Sequence, residues 1–532
     1  MTDGEPGTRD LAPGPAAPPA HPGPRFPRLG VAAAVVLIAF LAGLAVFAVR
    51  PFASADESAH ADYGLTIYQE HRLPTLFEHV EQVFPYQQAK PQHVANHPPL
   101  YYVLTGPFLA AGVGSGHLVG GYLLARSVSV LASMATVLLV AGFAHAVLRG
   151  RRPAVTVGAA ALVATYAPLV SVSGVLHNDA VSVAFSTAVL WLTVLVLRRG
   201  PTWPLVAALA ATALAGTAVR ATNATLVLAA CLAVVIAGLL HAAPQRRWTA
   251  GLANGLFRGF LVGATSLFGI GWFFLRSQEL YGNMLGYGVL GDAFGKTPPP
   301  QSLWMLRNPL LLLDQIGLPR PAAMLTPSGL LTVLPVLAVL VGCVFLLVGA
   351  LRRRAARGSA PRRPVGTGPD ERTVRWALAA LFAVHTLITL VMVMRHVDGG
   401  GGTHPRYLFP LLPIVAAVAA AALLKLPGGW RGGYLVLAVA AGVLSSLQII
   451  GISSWRWLPG RLTEPTLEGI RNGLANLGLP APTALLLGTL TVVAVATAVV
   501  AWSVWRAGRP GCSAPDEAPA EPVEQQPQPA LA

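Results

Sequence analysis

Charge is what this sequence has least of. Asp, Glu, Lys and Arg make up 11% of the 532 residues, against 54% apolar residues. A soluble chain covers itself with roughly a quarter charged residues, so lipid rather than water must solvate most of this surface. That excludes the roughly three or four soluble domains that length alone would suggest. Cysteine is nearly as scarce. Of the three, Cys231 and Cys343 lie inside apolar runs and Cys512 lies in the C-terminal tail. No two are spaced for a disulfide or a metal clip. Also missing are a GxxxxGK[ST] phosphate loop, an HExxH helix and a paired CxxC. There is no Asp-x-Asp of the nucleotide-sugar type either. These absences fit an enzyme, if it is one, that works away from the cytoplasmic nucleotide pool on an already activated donor.

The charge that is present is mostly basic, with a formal balance of +15. It does not form a stripe on a soluble face, so nucleic acid is not an expected partner. The basic residues sit instead in short clusters between apolar runs, as membrane topology demands.

A membrane-spanning helix needs about 20 mostly apolar residues. Runs of that kind lie near 29–49, 118–148, 153–172, 178–197, 203–219, 224–241, 259–275, 328–351, 376–395, 406–424, 433–450 and 483–506, twelve in all. With the N-terminus inside, the inside turns carry Arg149-Arg151-Arg152, Arg198-Arg199, Arg246-Arg247-Arg258, the Arg352-to-Arg375 cluster, and Lys425-Arg431. The outside loops carry few basic residues for their length. This is the positive-inside pattern, and one helix more or fewer would break it. The expected fold is therefore all-α: a polytopic bundle of about 12 transmembrane helices in the cell membrane, with both termini cytoplasmic. Residues 1–28 and 507–532 are rich in Pro, Gly and Ala and read as disordered tails. Ala53-Ser54-Ala55 resembles a cleavage site, but the preceding apolar run is too long for a signal peptide and reads as a retained anchor.

Within the domain 29–506, two long extracytoplasmic loops stand out, 50–117 and 276–327. The stretch 98–117 is apolar but short and broken by Pro98, Pro99 and Pro107. It reads as a helix lying at the outer interface. Its Gly112-Val113-Gly114-Ser115-Gly116 follows no strand and reads as a plain turn.

The unusual residues gather on the outside. Asp56 and Glu57 lie within a few residues of the membrane, where a carboxylate is costly unless it faces a wet or protein-lined cavity. A solvated acid pair is the plainer alternative. Asn96-His97-Pro98-Pro99-Leu100-Tyr101-Tyr102 enters an aromatic segment that also fits an interfacial belt. Asn178 and Asp179 suit either an N-cap for the fourth span or a substrate contact. Arg220 lies in a tight outer turn, where its guanidinium fork suits a phosphate; snorkelling to headgroups is the alternative. Arg395, His396, His404 and Arg406 flank four consecutive glycines and form a second candidate anion site. His385, mid-span, reads as an interhelical hydrogen bond rather than a ligand.

The order of these features resembles a known family. A first span is followed by an Asp-Glu pair, then Pro-Pro-Leu-Tyr-Tyr, a helix entered through Leu-Ala-Arg126, and an Asn-Asp turn. Later come Trp272, Arg276 and Tyr281-Gly282, then Pro405-Arg406-Tyr407-Leu408-Phe409-Pro410. Over residues 29–506 this resembles the GT-C superfamily of polyprenyl-phosphate-sugar-dependent glycosyltransferases, within it the bacterial relatives of protein O-mannosyltransferases and aminoarabinose transferases. The resemblance implies transfer of a sugar from a polyprenyl-phosphate donor to a hydroxyl on a cell-envelope glycan, lipid or protein, with inversion at C1. It makes Asp56 the general base, with Glu57 supporting it or binding substrate. His97, Tyr101, Asn178, Asp179, Arg220, His404 and Arg406 are the expected substrate-binding residues. Relatives often carry Lys where this chain has His97, a weaker anion ligand, which leaves Arg220 and Arg406 to supply positive charge. One carboxylate pair is too little to argue a divalent metal site, so metal use stays open, and the lipid-linked sugar donor is the expected partner. A transporter or lipid flippase is the rival reading; such proteins show repeated halves and midplane polar residues, and neither is visible here.

Overall fold

The computed structural model describes residues 26–54, 56–295, 303–356, 369–427, 432–455 and 466–508. The two expected tails fall almost wholly outside them. The first helix, α1 (Phe26–Ala48), starts slightly earlier than expected, because Pro27 sits in its first turn, where a missing N–H costs nothing.

The outer loop supplies α2 (Glu57–Gln69) and α3 (Leu100–Gly114). The next elements are α4 (Leu118–Leu148), α5 (Pro153–Ala164), α6 (Ala167–Ser173), α7 (Asp179–Arg199), α8 (Trp203–Val219), α9 (Ala224–Ala242) and α10 (Trp248–Tyr281). The short helices α11 (Tyr287–Ala293), α12 (Trp304–Arg307), α13 (Pro309–Ile316) and α14 (Pro321–Met324) follow. Then come α15 (Pro327–Ala356), α16 (Glu371–Asp398), α17 (Leu412–Leu423), α18 (Gly433–Ser454), α19 (Thr466–Asn476) and α20 (Pro482–Ala507). Among the described residues the only β pairing is an isolated bridge between His79 and Pro91.

Among the described residues ten helices are long and apolar enough to cross a membrane, or eleven when α5 and α6 count as one span bent by 55°. The chain is a multi-pass helical membrane protein. Of the twelve expected spans, 203–219 became the 17-residue α8, shorter than the others. The α5–α6 bend frees backbone groups inside an apolar layer, where they need protein partners. Ser446 on α18 meets this need by donating to the Thr165 carbonyl at 3.1 Å.

Burial separates centre from periphery. The most apolar stretch of α7 is 72% buried, that of α15 only 6%. α7 is therefore a central strut, and α15 shows its apolar side to lipid. One core joins α1, α4, α5, α17, α18 and α20, a second joins α7, α8, α9 and α16, and a third lies under the outer loop around Phe52, Tyr63, Tyr101, Tyr102 and Tyr122. Small residues let the outer helices approach closely: a Cβ on Gly106 of α3 would lie 2.8 Å from the Gly64 carbonyl oxygen of α2.

The two ends of the bundle differ in charge. At one, Glu371 gathers Arg149 at 3.3 Å, Arg198 at 3.1 Å and Arg375 at 3.0 Å. All three arginines come from turns read as inside. The polar centre described next lies at the other end, separated by most of α4, whose 31 residues span about 46 Å at ~1.5 Å per residue.

Candidate active site

Asp56 occupies the N-cap of α2 but its side chain makes no capping hydrogen bond. An N-cap Asp is ordinarily spent on the first free N–H groups of its helix. Here the carboxylate turns toward three cationic or imidazole groups: His93 Nε2 at 3.2 Å from Oδ1, and Arg406 Nη1 and His177 Nε2, each 3.5 Å from Oδ2. Burial pushes the Asp56 carboxyl up, but His177 and His93 outweigh it and hold it well below the usual carboxylate range. The helix N-terminus adds to this. The side chain is still 27% exposed, so the carboxylate is ionised, oriented and reachable.

Glu57 points the opposite way and is fully buried. Its Oε1 accepts from Tyr122 Oη at 2.6 Å, Arg126 Nε at 3.0 Å and the Leu176 N–H at 2.8 Å, and its Oε2 accepts from Arg126 Nη2 at 3.0 Å. Arg126 also donates to the carbonyl of Val46 near the end of α1 and to those of Val49 and Arg50 just beyond it. A buried charge survives when every lone pair and proton is matched, and this pair meets that condition. Expected either to support Asp56 or to bind substrate, Glu57 has no open surface in this structure and joins α1, α2 and α4 beside Asp56.

Asn178 sits at the N-cap place of α7, yet its side chain makes no capping bond. It spans outward, donating to the Val219 carbonyl and accepting from Arg220 Nη1, each at 3.4 Å. Asp179, almost fully buried, forms an ion pair with Arg220, contacts His177 Nδ1 at 3.2 Å and lies 3.8 Å from Arg406 Nε. Arg220 is thus committed to a buried carboxylate. Arg406 is shared between Asp56, Asp179 and His177 Nε2, the last at 2.8 Å, with 24% of its side chain exposed.

His97 and Tyr101 lie deeper than expected. The His97 ring faces His60 across 6.3 Å, and its carbonyl accepts from Tyr63 at 3.0 Å. Burial, then the charge on Arg220, lowers its pKa well below the usual value, so it carries no positive charge at neutral pH. Tyr101 is fully buried with its ring edge-on to His60. Its burial separates it from a surface aromatic belt. His404 is exposed, its carbonyl accepts from Gln315 at 2.6 Å, and with Pro405 it lines a cavity of about 500 Å³ that also meets Asp314, Ser445 and Gln448. Among the described residues no group of three His, Cys, Asp or Glu side chains is placed to hold a metal ion.

Two participants were not expected from sequence. His93 touches Asp56 directly. His60, fully buried, bonds Tyr102 Oη at 3.0 Å through Nδ1 and packs against His177 with ring centroids 4.7 Å apart. The available signal was the density of histidine, five between residues 60 and 97. The late motif around α10 proves to be a strap. Arg276 donates to the carbonyls of Leu73 and Pro74 at 3.2 Å, and the Tyr281 hydroxyl accepts from the Leu76 N–H at 3.0 Å. At 34 residues, about 51 Å, α10 is long enough to protrude beyond the ~30 Å hydrocarbon layer and hold the loop down.

The fold and site define a multi-pass membrane protein with a charged, histidine-rich centre at one end of its bundle. Over 90% of this chain and 76% of that one, the structure is similar to ArnT from Cupriavidus metallidurans bound to undecaprenyl phosphate, with 14% sequence identity and a TM-score of 0.46. It is similar to the apo oligosaccharyltransferase of Archaeoglobus fulgidus over 90% of this chain and 56% of that one, at 13% identity and a TM-score of 0.37. The archaeal oligosaccharyltransferase AglB from the same organism, in complex with an inhibitory peptide and a dolichol-phosphate, covers 88% and 55%, at 12% identity and a TM-score of 0.36. No protein-family model and no curated protein matches the chain.

Proposed function

We propose that this protein is a membrane glycosyltransferase of the GT-C type, moving a sugar from a polyprenyl-phosphate donor to an acceptor hydroxyl at the outer face of the cell membrane. The observation that carries the reading is the placement of Asp56 and Arg406. An ionised, reachable carboxylate stands 3.5 Å from a partly exposed guanidinium, at the end of the bundle opposite the arginine-rich turns. Sugar transfer from a lipid phosphate needs those two groups together. The acceptor hydroxyl must lose its proton as it attacks C1, and one positioned carboxylate serves as general base. The C1–phosphate bond breaks and leaves charge on the phosphate oxygens, which fixed cations stabilise.

Arg406 suits the phosphate better than Arg220, which already has a buried counter-ion. His97, neutral, contributes packing rather than charge. A single displacement at C1 by the acceptor oxygen, with Asp56 taking its proton, inverts the anomeric centre. Two carboxylates flanking a scissile bond would instead serve hydrolysis, and Glu57 points away from the space that Asp56 faces. The cavity beside His404 and Pro405 offers room and hydroxyl-binding groups for the acceptor. Both termini are assigned to the cytoplasm because the arginine-rich end is the inner one under the positive-inside rule.

The experiment is purification and incubation with a panel of polyprenyl-phosphate sugars, following which lipid is consumed and what acquires the sugar. Consumption of one donor by the wild type and not by Asp56→Asn is expected. Solute uptake by proteoliposomes that contain no lipid-linked sugar would overturn the reading in favour of a transporter.

A further inference from the structure

His93 has its protonation state fixed by its two neighbours. Its Nδ1 lies 3.1 Å from the Pro91 carbonyl oxygen, and its Nε2 lies 3.2 Å from Asp56 Oδ1. A carbonyl oxygen only accepts, so Nδ1 carries a proton. In a neutral ring that would leave a lone pair on Nε2, facing a carboxylate lone pair. The contact is attractive only with a second proton between Nε2 and Oδ1.

The segment around His93 is not free to turn away. Gln92 donates to the Ala59 carbonyl at 3.0 Å and to Asp62 Oδ2 at 2.8 Å, and the Gln88 N–H donates to Ser58 Oγ at 3.0 Å. The bridge between His79 and Pro91 holds the carbonyl partner itself. On the far side, the ring of Phe294 stands edge-on to His93 at 5.8 Å.

We infer that Asp56 and His93 form a dyad sharing one proton, in which an imidazolium at His93 occupies Oδ1 and leaves Oδ2 as the oxygen that takes the acceptor's proton. His93 is then a positioning residue for the proposed transfer. Oδ2 is the oxygen that faces Arg406, so hydroxyl and phosphate meet on one side of the carboxylate. In the reaction the acceptor O–H proton moves to Oδ2, the acceptor oxygen bonds C1, and the C1–O bond electrons leave with the phosphate. The dyad's own proton stays on His93.

The electrostatic surroundings set the direction of pH dependence. Asp56 favours the imidazolium, as does the Pro91 carbonyl; burial and Lys90 oppose it, and the first pair prevails. Beyond Asp56 stand His177, Arg406 and His60. A raised imidazole is charged below its midpoint, so the dyad is intact on the acid side of that midpoint and is lost as pH rises through it. Above that midpoint the neutral ring has one N–H for two acceptors, Oδ1 and the Pro91 carbonyl, so it is no longer held at both and the carboxylate loses its fixed orientation.

The inference rests on the transferase reading for its consequence but not for its first test. The full chain, labelled with ring ¹⁵N histidine and held in lipid, is followed by NMR, with His93→Gln identifying the His93 signals. An ordinary histidine titrates near about 6.5. His93 is expected to stay doubly protonated to higher pH than an ordinary histidine, and to lose that advantage in Asp56→Asn. A His93 midpoint at or below the ordinary one in the wild type, or a raised one unmoved by Asp56→Asn, overturns the shared proton. The second test is the pH profile of transfer. Wild-type transfer falls on the alkaline side, while His93→Gln, whose amide N–H replaces Nε2–H at all pH, keeps its rate there. His93→Ala loses about ten- to a hundredfold below the wild-type midpoint, the size of one hydrogen bond to a charged group. An alkaline fall unchanged in His93→Gln overturns the positioning role. If the wild type transfers no sugar while the NMR result holds, the transferase reading fails and the dyad stands.

Discussion

Glu57 and Arg126 form an ion pair 3.0 Å long with neither side chain exposed, one residue away from a carboxylate that the same turn of backbone turns toward open space. The pair explains how adjacent acids acquire opposite fates. Arg126 ties the end of α1 to the start of α2, so Glu57 faces inward and Asp56 cannot.

Removing one member of this pair is expected to be severe. Glu57→Gln or Arg126→Met leaves a buried charge unmatched, at a cost of about 3–5 kcal/mol. The double variant Glu57→Gln with Arg126→Met is expected to regain part of that loss. The midpoint of thermal unfolding in detergent measures it; single variants as stable as wild type would contradict the joint described for the pair.

Asp56→Asn is expected to behave differently. The carboxamide keeps the shape, and the side chain is partly exposed. Transfer falls by about 10²–10⁴, the range for a general base, with thermal unfolding close to wild type. Retention of full transfer by a well-folded variant removes Asp56 from the chemistry.

Arg406 is predicted to act on the donor phosphate as a fork rather than as a simple charge. Arg406→Gln is expected to raise the donor KM about ten- to a hundredfold, in line with loss of a charge-assisted hydrogen bond. Arg406→Lys should recover only part. Equal behaviour of Lys and Arg in a donor titration would reduce the role to net charge.

Acid is expected to destabilise the centre through His177. Burial lowers this imidazole to about 4, while in the unfolded chain it titrates near 6.5. Between those values the unfolded state binds more protons, so stability is full above pH ~6.5 and falls as pH drops toward 4. Asp56, held low, contributes its own loss only below the ordinary carboxylate range. His177→Gln is expected to flatten the unfolding midpoint between pH 6.5 and 4; an unchanged slope refutes the assignment.

Orientation is open to labelling. In a chain whose three cysteines are replaced by serine, Ser115→Cys lies at the exposed end of α3 and is expected to react with an impermeant maleimide in intact cells. Glu371→Cys, at the arginine-rich end, is expected to react only after permeabilisation. The reverse pattern would invert the topology.

Much of the fold was legible because its signals are local. Apolar run length predicts a span without reference to any partner, and the basic turns are countable. α4 has the expected bounds, and α7 and α20 lie within two residues of them. α10 was foreshortened, because its first and last turns carry polar residues and leave the hydrocarbon. The bend at Thr165 was hidden inside an apolar run, since nothing in the run names the Ser446 that satisfies the broken turn. His385 donates to the Pro410 carbonyl at 3.3 Å, a bond foreseeable in kind but not in partner.

At the site, sequence could nominate residues but not choose among them. Composition and spacing determined by themselves that this chain lives in a membrane, that its unusual residues share one face, and that Asp56, Asp179, Arg220 and Arg406 belong to that face. Only the tertiary structure decided that Asp56 is reachable while Glu57 is sealed, that Arg220 is committed to Asp179, and that His93 meets Asp56. The reason is physical. Topology follows from hydropathy summed along the chain, whereas the state of a carboxylate follows from which protons and charges stand within about 4 Å of it. Those neighbours come from segments as far apart in sequence as Asp56 and Arg406.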